Sequence, residues 1–422
     1  MNPILSSRYY IPDVEARQWE DGRVYLYGSN DKCGHNEYCS KKYHVFSSEN
    51  MIDWIAHENS FSSACVHDGA DKQAALYAPD CVKAGDRYCL FYCQENGGEG
   101  IAYSKDPAGP FRDSRPIIPA DGQGIDPAAL VDDDGSIYYF WGQFSAKGGK
   151  LNPKTGEIIP ETLKEGILTE KEHGFHEGIS VRKRNGIYYL VYADISRGRP
   201  TCLGYAVSRS PLGPYEKKGI IIDNTGCDPE NWNNHGSIAE INGEWYVFYH
   251  RATHKSRFSR QVCVEPIHFN DDGTINEVEM TTQGNEGALN SCTLLEAFRA
   301  CALTGNCYVD DFHDETGCYE YLSNIHNGDM MIYRYLDFSE RPVAVELEVS
   351  SNEEGAAVEI YLDEDQEQIA EVKLEETNGR YDFRRSSARI IPPAPEGIHS
   401  VKLKAKSSEN ALICLKSIRF HK

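Results

Sequence analysis

The feature that most constrains this chain is a short unit that recurs five times: a polar or glycine turn followed by a run of β-branched and aromatic residues. Asp21-Gly22 precedes Val24 to Tyr27, Gly85-Asp86 precedes Tyr88 to Tyr92, and Asp134-Gly135 precedes Ile137 to Trp141. Asn185-Gly186 precedes Ile187 to Tyr192, and Asn242-Gly243 precedes Trp245 to Tyr249. Asp-Gly and Asn-Gly are favoured two-residue hairpin turns, and the runs after them suit a pleated strand. Further short strands are expected at Gly100 to Ser104 and Gly204 to Ser208, each leading into a Gly-Pro-aromatic turn at Gly109-Pro110-Phe111 or Gly213-Pro214-Tyr215. About four strands per repeat, at periods of roughly 50 residues, predict an all-β fold with a five-bladed β-propeller. A string of independent small sandwiches would leave each repeat with a thin core.

Polar residues stand at or before the first strand of each repeat: Asp13 after Pro12, Asp80 after Pro79, Asp126 before Pro127, Glu177 before Gly178, and His235 before Gly236. The innermost strand of a propeller blade lines the central channel, so these five side chains are expected to converge on one end of the axis. Facing carboxylates are what glycosidic bond hydrolysis needs, one protonated to donate to the leaving oxygen and one ionised to activate water. A third acid nearby favours the protonated donor through like-charge repulsion.

Composition narrows the partners. Lys+Arg of 43 against Asp+Glu of 65 gives a formal charge of −22, which repels phosphate backbones and argues against nucleic acid or an anionic membrane. A neutral ligand fits better. The 14 cysteines show no Cys-x-x-Cys spacing, and Cys89, Cys202, Cys263 and Cys414 sit inside strand patterns, so free thiols are expected. The opening residues carry no basic segment followed by a long apolar one, and no run approaches the ~20 apolar residues of a membrane span. A cytoplasmic location is the expectation. A Walker A loop, His-Glu-x-x-His and Gly-x-Ser-x-Gly are all missing from the sequence, and Gly97-Gly98-Glu99-Gly100 reads as a hairpin.

Asp13, Ile125-Asp126-Pro127, His176-Glu177-Gly178 and Asn234-His235-Gly236-Ser237 ahead of Trp245 to Arg251 together resemble glycoside hydrolase family 43. The resemblance covers residues 1 to about 289. It implies a five-bladed propeller of inverting glycosidases acting mainly on α-L-arabinofuranosides and β-D-xylosides. It further implies Asp13 as general base, Asp126 as the acid that tunes and orients the donor, and Glu177 as general acid. His235 matches a central histidine that in many members stands beside a hydrated calcium ion. Arg260 matches an arginine that binds substrate hydroxyls near the base, although Arg251 and Arg257 lie close by. The chain departs from the pattern in having Val14 after the base, where proline is common, and Tyr77 where tryptophan often opens the second-blade motif. Tyr77 and Phe144 are the candidates for stacking on a sugar face.

Past Asp271-Asp272-Gly273 the pattern changes. A short helix is expected over Leu294 to Arg299, then alternating strands such as Val343 to Val349, Ala357 to Leu362 and Ser400 to Ala405, which predict a β-sandwich over residues 290–422. Gly397 to Val401 and Leu415 to Phe420 resemble family 6 carbohydrate-binding modules. Tyr381 and Phe383 stand where that module commonly has tryptophan, so packing is favoured over sugar binding as this domain's role.

The resulting expectation is an inverting, exo-acting glycosidase that removes arabinofuranose or xylose from oligosaccharides and needs no cofactor for its chemistry, with a structural calcium near His235 left open. Inversion implies carboxyl groups of Asp13 and Glu177 roughly 6.5 to 9.5 Å apart. A galactan- or galactofuranose-directed enzyme and a non-catalytic sugar-binding propeller are the alternatives.

Overall fold

The computed structural model describes residues 1–118, 124–314, 317–363 and 367–422. Its hairpins form where turn chemistry dictates. Asn185 and Asn242 take left-handed φ of 50° and 53° beside Gly186 and Gly243 at 74° and 87°. Paired residues Arg184 with Ile187, and Ile241 with Glu244, close the two turns. Two successive positive φ angles are what a type I′ hairpin requires.

Five antiparallel sheets follow one another. Blade one is Glu15–Gln18, Val24–Tyr27, Lys42–Ser48 and Ile55–Ser62, and blade two is Asp80–Ala84, Arg87–Cys93, Glu99–Ser104 and Arg112–Pro116. Blade three runs from Ala128–Val131 through Ile137–Trp141 and Ser145–Asn152, with both Glu157–Ile158 and Lys164–Thr169 pairing on the last of these. Blade four is Phe175–Arg184, Ile187–Asp194, Cys202–Ser208 and Glu216–Asp223. Blade five has three strands, Ser237–Ile241, Glu244–Thr253 and Ser256–Ile267. The chain's start lies along its outer strand, with Ile4 N–H on Val262 O at 3.1 Å and Val264 N–H on Asn2 Oδ1 at 2.9 Å. The first residues therefore clasp the last blade and close the ring.

Apolar wedges hold neighbouring blades together. Leu90 and Tyr92 pack with Tyr27 and Val45, Tyr139 and Trp141 with Val82 and Phe91, and Leu190 and Tyr192 with Leu130 and Phe140. Val247 and Tyr249 pack with Val191 and Leu203, and Phe248 and Val262 pack back on Leu26 and Phe46 of blade one. The aromatic strands thus fill the gaps that widen away from the axis, and each fully buried large side chain contributes about 1.5–3 kcal/mol. At the axis, ion pairs tie the inner strands: Arg17 to Asp80 at 2.8 Å and Arg182 to Glu15 at 2.7 Å.

The C-terminal part is a sandwich of two six-stranded sheets around one apolar core. One sheet contains Met330–Asp337, Ile398–Lys406, Ala357–Leu362 and Glu367–Lys373, and Leu289–Asn290 joins it. The other contains Tyr308–Asp314, Gly317–Ile325, Ile413–His421, Ala344–Ser351 and Arg384–Arg389. The helix expected over Leu294 to Arg299 does not form. Leu295–Glu296 pairs with Ile418 and Ser417, and a single 3-10 turn follows at Ala297–Arg299. Burying Leu295 in the sandwich core outweighs the local helical pattern of so short a run. All 14 cysteines are free thiols, and no helix among the described residues is long and apolar enough to cross a membrane.

Candidate active site

Strand phase decides which side chains reach the pocket. Asp13, Ala78, Asp126 and His235 each stand two residues ahead of an inner strand that begins at Glu15, Asp80, Ala128 or Ser237, and all four line one cavity of about 210 Å³. Glu177 reaches the same cavity from a bulged stretch of blade four, where pairing shifts between Phe175 and Ser180. Asp80 was expected here and is not. It is the first ladder residue of its strand, two positions deeper, or roughly 6.6 Å along the axis. There it is fully buried, bonded by Arg17 and by Ala129 N–H, and the pocket position of blade two belongs to Ala78.

The backbone at the site is unusual. Asp13 and Asp126 are non-glycine residues at φ of 58° and 54°. That left-handed region is sparsely used by side-chain-bearing residues, and such strain concentrates at functional sites. Gly178, after Glu177, has φ of 75°, and a Cβ there would meet His235 Cγ at 3.0 Å. A glycine is required for both reasons.

One wall of the pocket is a buried charge network. Arg260 donates from Nη1 to Asp13 Oδ1 at 2.9 Å, and from Nε and Nη2 to the two oxygens of Asp31 at 2.9 and 3.0 Å. Tyr38 covers the guanidinium at 4.9 Å from its ring centre. His235 Nδ1 lies 3.7 Å from Asp13 Oδ1 and 3.9 Å from Asp126 Oδ2, and His250 Nδ1 lies 3.5 Å from Asp13 Oδ1. His250 Nε2 faces Asn233 O at 3.0 Å; a carbonyl only accepts, so that nitrogen carries the proton. Burial pushes the Asp13 carboxyl up, but Arg260 and the two imidazoles more than offset it and hold Asp13 below its usual value. Burial also pushes the imidazoles down, His250 to about 3. At neutral pH Arg260 is therefore the cation that keeps Asp13 ionised.

The opposite wall is built from neutral groups. Glu177 is half-buried, and its oxygens accept from Gln143 Nε2 at 2.7 Å and Asn233 Nδ2 at 3.1 Å. Asp126 accepts from Gly178 N–H, and burial, then the charges of Glu177 and Asp13, push it well above the usual carboxylate range. Asp13, held ionised, beside Asp126, which burial and the neighbouring charges push toward its protonated form, sets two carboxyls apart as acid/base hydrolysis requires.

The remaining sequence candidates divide. Tyr77 and Arg260 line the pocket, whereas Phe144, half exposed and edge-on to His176 at 5.0 Å, stands beside it. Arg260 is buried against two carboxylates, so its first task here is to hold Asp13 and Asp31. Sequence reasoning missed Tyr38, Gln143, Trp232 and Asn233, all in the pocket wall. Trp232, 40% exposed, is a larger stacking face than Tyr77, and its place in Asn231-Trp232-Asn233-Asn234-His235, three residues before the histidine, is the signal that could have found it. A calcium ion takes six to eight oxygen ligands. Among the described residues, no three His, Cys, Asp or Glu donor atoms around His235 lie within 4.8 Å of one another, so the site fits an ion that would be held mainly by water.

Comparison with known proteins accords with this geometry. The family model for glycosyl hydrolases family 43 matches residues 1–275, and that for carbohydrate binding module family 6 matches residues 301–422. A xylosidase/arabinosidase of Thermoclostridium stercorarium is 32% identical over 328 residues, covering 67% of this chain and 67% of that protein. An arabinoxylan arabinofuranohydrolase of Paenibacillus polymyxa is 26% identical over 442 residues, covering 91% of this chain and 68% of that protein. Among solved structures, a beta-xylosidase/alpha-arabinofuranosidase from a compost metagenome, in complex with xylotriose and calcium-free, superposes with a TM-score of 0.57 at 26% identity, covering 66% of this chain and 97% of that one.

Proposed function

The chain belongs to family 43 of the glycosyl hydrolases, and from that premise we propose that it removes terminal α-L-arabinofuranose or β-D-xylose from xylan-derived oligosaccharides with inversion at the anomeric carbon. The observation that carries this reading is the asymmetry of the pocket walls: Asp13 held by Arg260, and Glu177 held by two amides. In this reading Asp13 takes a proton from water as its oxygen attacks the anomeric carbon. The bond to the leaving oxygen breaks, and Glu177 gives that oxygen its proton. Asp126 fixes Gly178 and with it the strand that presents Glu177. Trp232 and Tyr77 offer faces to the sugar ring. A cavity of about 210 Å³ is below the ~300–1,000 Å³ of usual ligand pockets, which suits one terminal sugar and supports exo action. The names of the relatives, a xylosidase/arabinosidase and an arabinoxylan arabinofuranohydrolase, support the choice of sugars. When bound at His235, a hydrated calcium ion adds positive charge beside Asp13 and Asp126. We also infer a cytoplasmic location, which the fourteen free thiols support and cell fractionation tests.

The test is release of sugar from aryl α-L-arabinofuranoside, β-D-xyloside and β-D-galactoside and from arabinoxylo-oligosaccharides, by wild type and Asp13→Asn, with the first-formed anomer followed by NMR. Release of one pentose in the inverted anomer, lost in the variant, is expected. A retained anomer overturns inversion, galactoside turnover alone overturns the choice of sugar, and binding without turnover would make the propeller a sugar-binding module.

A further inference from the structure

Where the sandwich docks on the propeller, a second cluster of reactive side chains lies outside the sugar pocket. We propose that Cys33, His254 and Asp311 bind a zinc-class divalent cation between the two domains, with a fourth donor from the His313 and Cys318 pair.

The placement follows from local structure. Cys33 sits in the loop of blade one between Val24–Tyr27 and Lys42–Ser48. His254 occupies the tip of the blade-five hairpin, where it and Lys255 take φ of 63° and 49° and turn the imidazole outward toward the sandwich. The sandwich supplies a strand pair in which Asp311 faces Glu320 and His313 faces Cys318 in register. Side chains alternate along a strand, so Asp311, His313, Cys318 and Glu320 share one face, while Phe312, Tyr319 and Tyr321 share the other. The polar face meets the propeller, since Glu320 Oε1 accepts from Gln261 Nε2 at 2.8 Å.

The donor atoms are already close. Those of Cys33, His254 and Asp311 lie within 4.8 Å of one another, and so do those of Asp311, His313 and Cys318. Asp311 bridges the groups, its Oδ1 3.1 Å from His254 Nε2 and its Oδ2 2.9 Å from His313 Nε2 and 3.6 Å from Cys318 Sγ. Tetrahedral zinc with bonds of about 2.0–2.3 Å places neighbouring donors roughly 3.3–3.8 Å apart, so small side-chain shifts seat Cys33, His254 and Asp311, and a larger side-chain rotation brings His313 or Cys318 in as the fourth donor. His254 is also oriented as metal-bound histidines are: its other ring nitrogen, Nδ1, is held by Thr253 Oγ1 at 2.8 Å, leaving Nε2 for the metal side. Two thiols, two imidazoles and one carboxylate form a set for a thiolate-accepting cation, not for calcium.

Such an ion would also stiffen the base wall. Cys33 is two residues from Asp31, the partner of Arg260, and Asp31 N–H is bonded to Tyr10 O at 2.9 Å, three residues before Asp13. The site would pin the loop that fixes the arginine holding the base.

The experiment uses the full chain, kept reduced, stripped with a chelator and titrated with cobalt(II). We expect one ion per chain with a thiolate-to-cobalt charge-transfer band that zinc abolishes. Cys33→Ser should lose that band, and His254→Ala should weaken binding at least about tenfold. A hydrated ion at His235 contributes no sulfur and so no such band, which keeps this test independent of the sugar chemistry. If Cys33→Ser does not fold, alkylation of the wild type decides, because zinc must protect Cys33. Lack of a thiolate band at equimolar cobalt, an unchanged band in folded Cys33→Ser, or alkylation of Cys33 unaffected by zinc overturns the site.

Discussion

The two walls of the axial pocket hold their carboxyl groups by different means. Asp13 is gripped by a permanent cation that is itself buried between two carboxylates, whereas Glu177 is gripped by the neutral amides of Gln143 and Asn233. A group that must stay ionised is served by a fixed opposite charge in a dry setting. A group that must gain and lose a proton each turnover is served by donors whose charge does not change with it. On this contrast rests the proposal of Asp13 as base and Glu177 as acid.

The largest expected effect breaks the two walls one at a time. Asp13→Asn should lower kcat by about 10²–10⁴-fold on every substrate, since each needs water activated. Glu177→Gln should cost a comparable factor on an arabinoxylo-oligosaccharide and little on an aryl glycoside, whose leaving group needs no proton. Parallel kcat measurements on both substrates check this. If both variants fall equally on the aryl substrate, the walls have been assigned wrongly.

Next in size is the grip on the base. Arg260→Gln leaves Asp13 and Asp31 buried without their cation, and breaking a buried pair costs about 3–5 kcal/mol. Urea unfolding measures that loss. The sign of the pH effect follows from the charges: burial pushes Asp13 up and Arg260 opposes it, so removing the arginine raises the Asp13 pKa. The acidic limb of kcat/KM should move to higher pH in the variant, and a limb that stays put would mean that Asp13 is not the group titrating there.

The two walls were not equally legible in the sequence. The blades were visible because hairpin chemistry is local: Asn185-Gly186 or Asn242-Gly243 declares its turn, and the aromatic run after it declares its strand. Asp13, Asp126, Glu177 and His235 followed from their places before those strands. Asp80 went astray because a turn fixes where a strand is near but not which residue makes the first ladder bond, and two positions separate the pocket from the buried network with Arg17. Asp31, Gln143 and Asn233 could not be found by pattern, since each acts on a partner far away in the chain: Arg260 for the first, Glu177 for the others. The Leu294 to Arg299 segment failed for a similar reason, its conformation being set by pairing with the strand that ends the chain.

A smaller effect should come from the amides. Gln143→Ala or Asn233→Ala removes one hydrogen bond to a carboxylate, worth about 1.5–3 kcal/mol when the partner is charged and less when it is neutral. On the proposed reading of Glu177 as the acid, the loss in kcat should be about tenfold. Pre-steady-state and steady-state rates on an oligosaccharide measure it. A loss as large as that of Glu177→Gln would mean that the amides do more than hold the acid.

The smallest effect, and the one that tests both walls together, is expected from chelation. His235 Nδ1 is nearly equidistant from Asp13 at 3.7 Å and Asp126 at 3.9 Å, so charge added at this histidine acts on both carboxylates alike. Among the described residues, no three His, Cys, Asp or Glu donor atoms at this histidine lie within 4.8 Å of one another, so an ion there would take most of its ligands from water. The hold of Arg260 on Asp13 and of the amides on Glu177 is made by protein atoms alone. Dialysis against a chelator should therefore change kcat by less than about tenfold, leave the product anomer unaltered, and be reversed by calcium alone. A loss of several orders of magnitude would show that the walls depend on the ion, and the arginine and the amides would then be secondary supports.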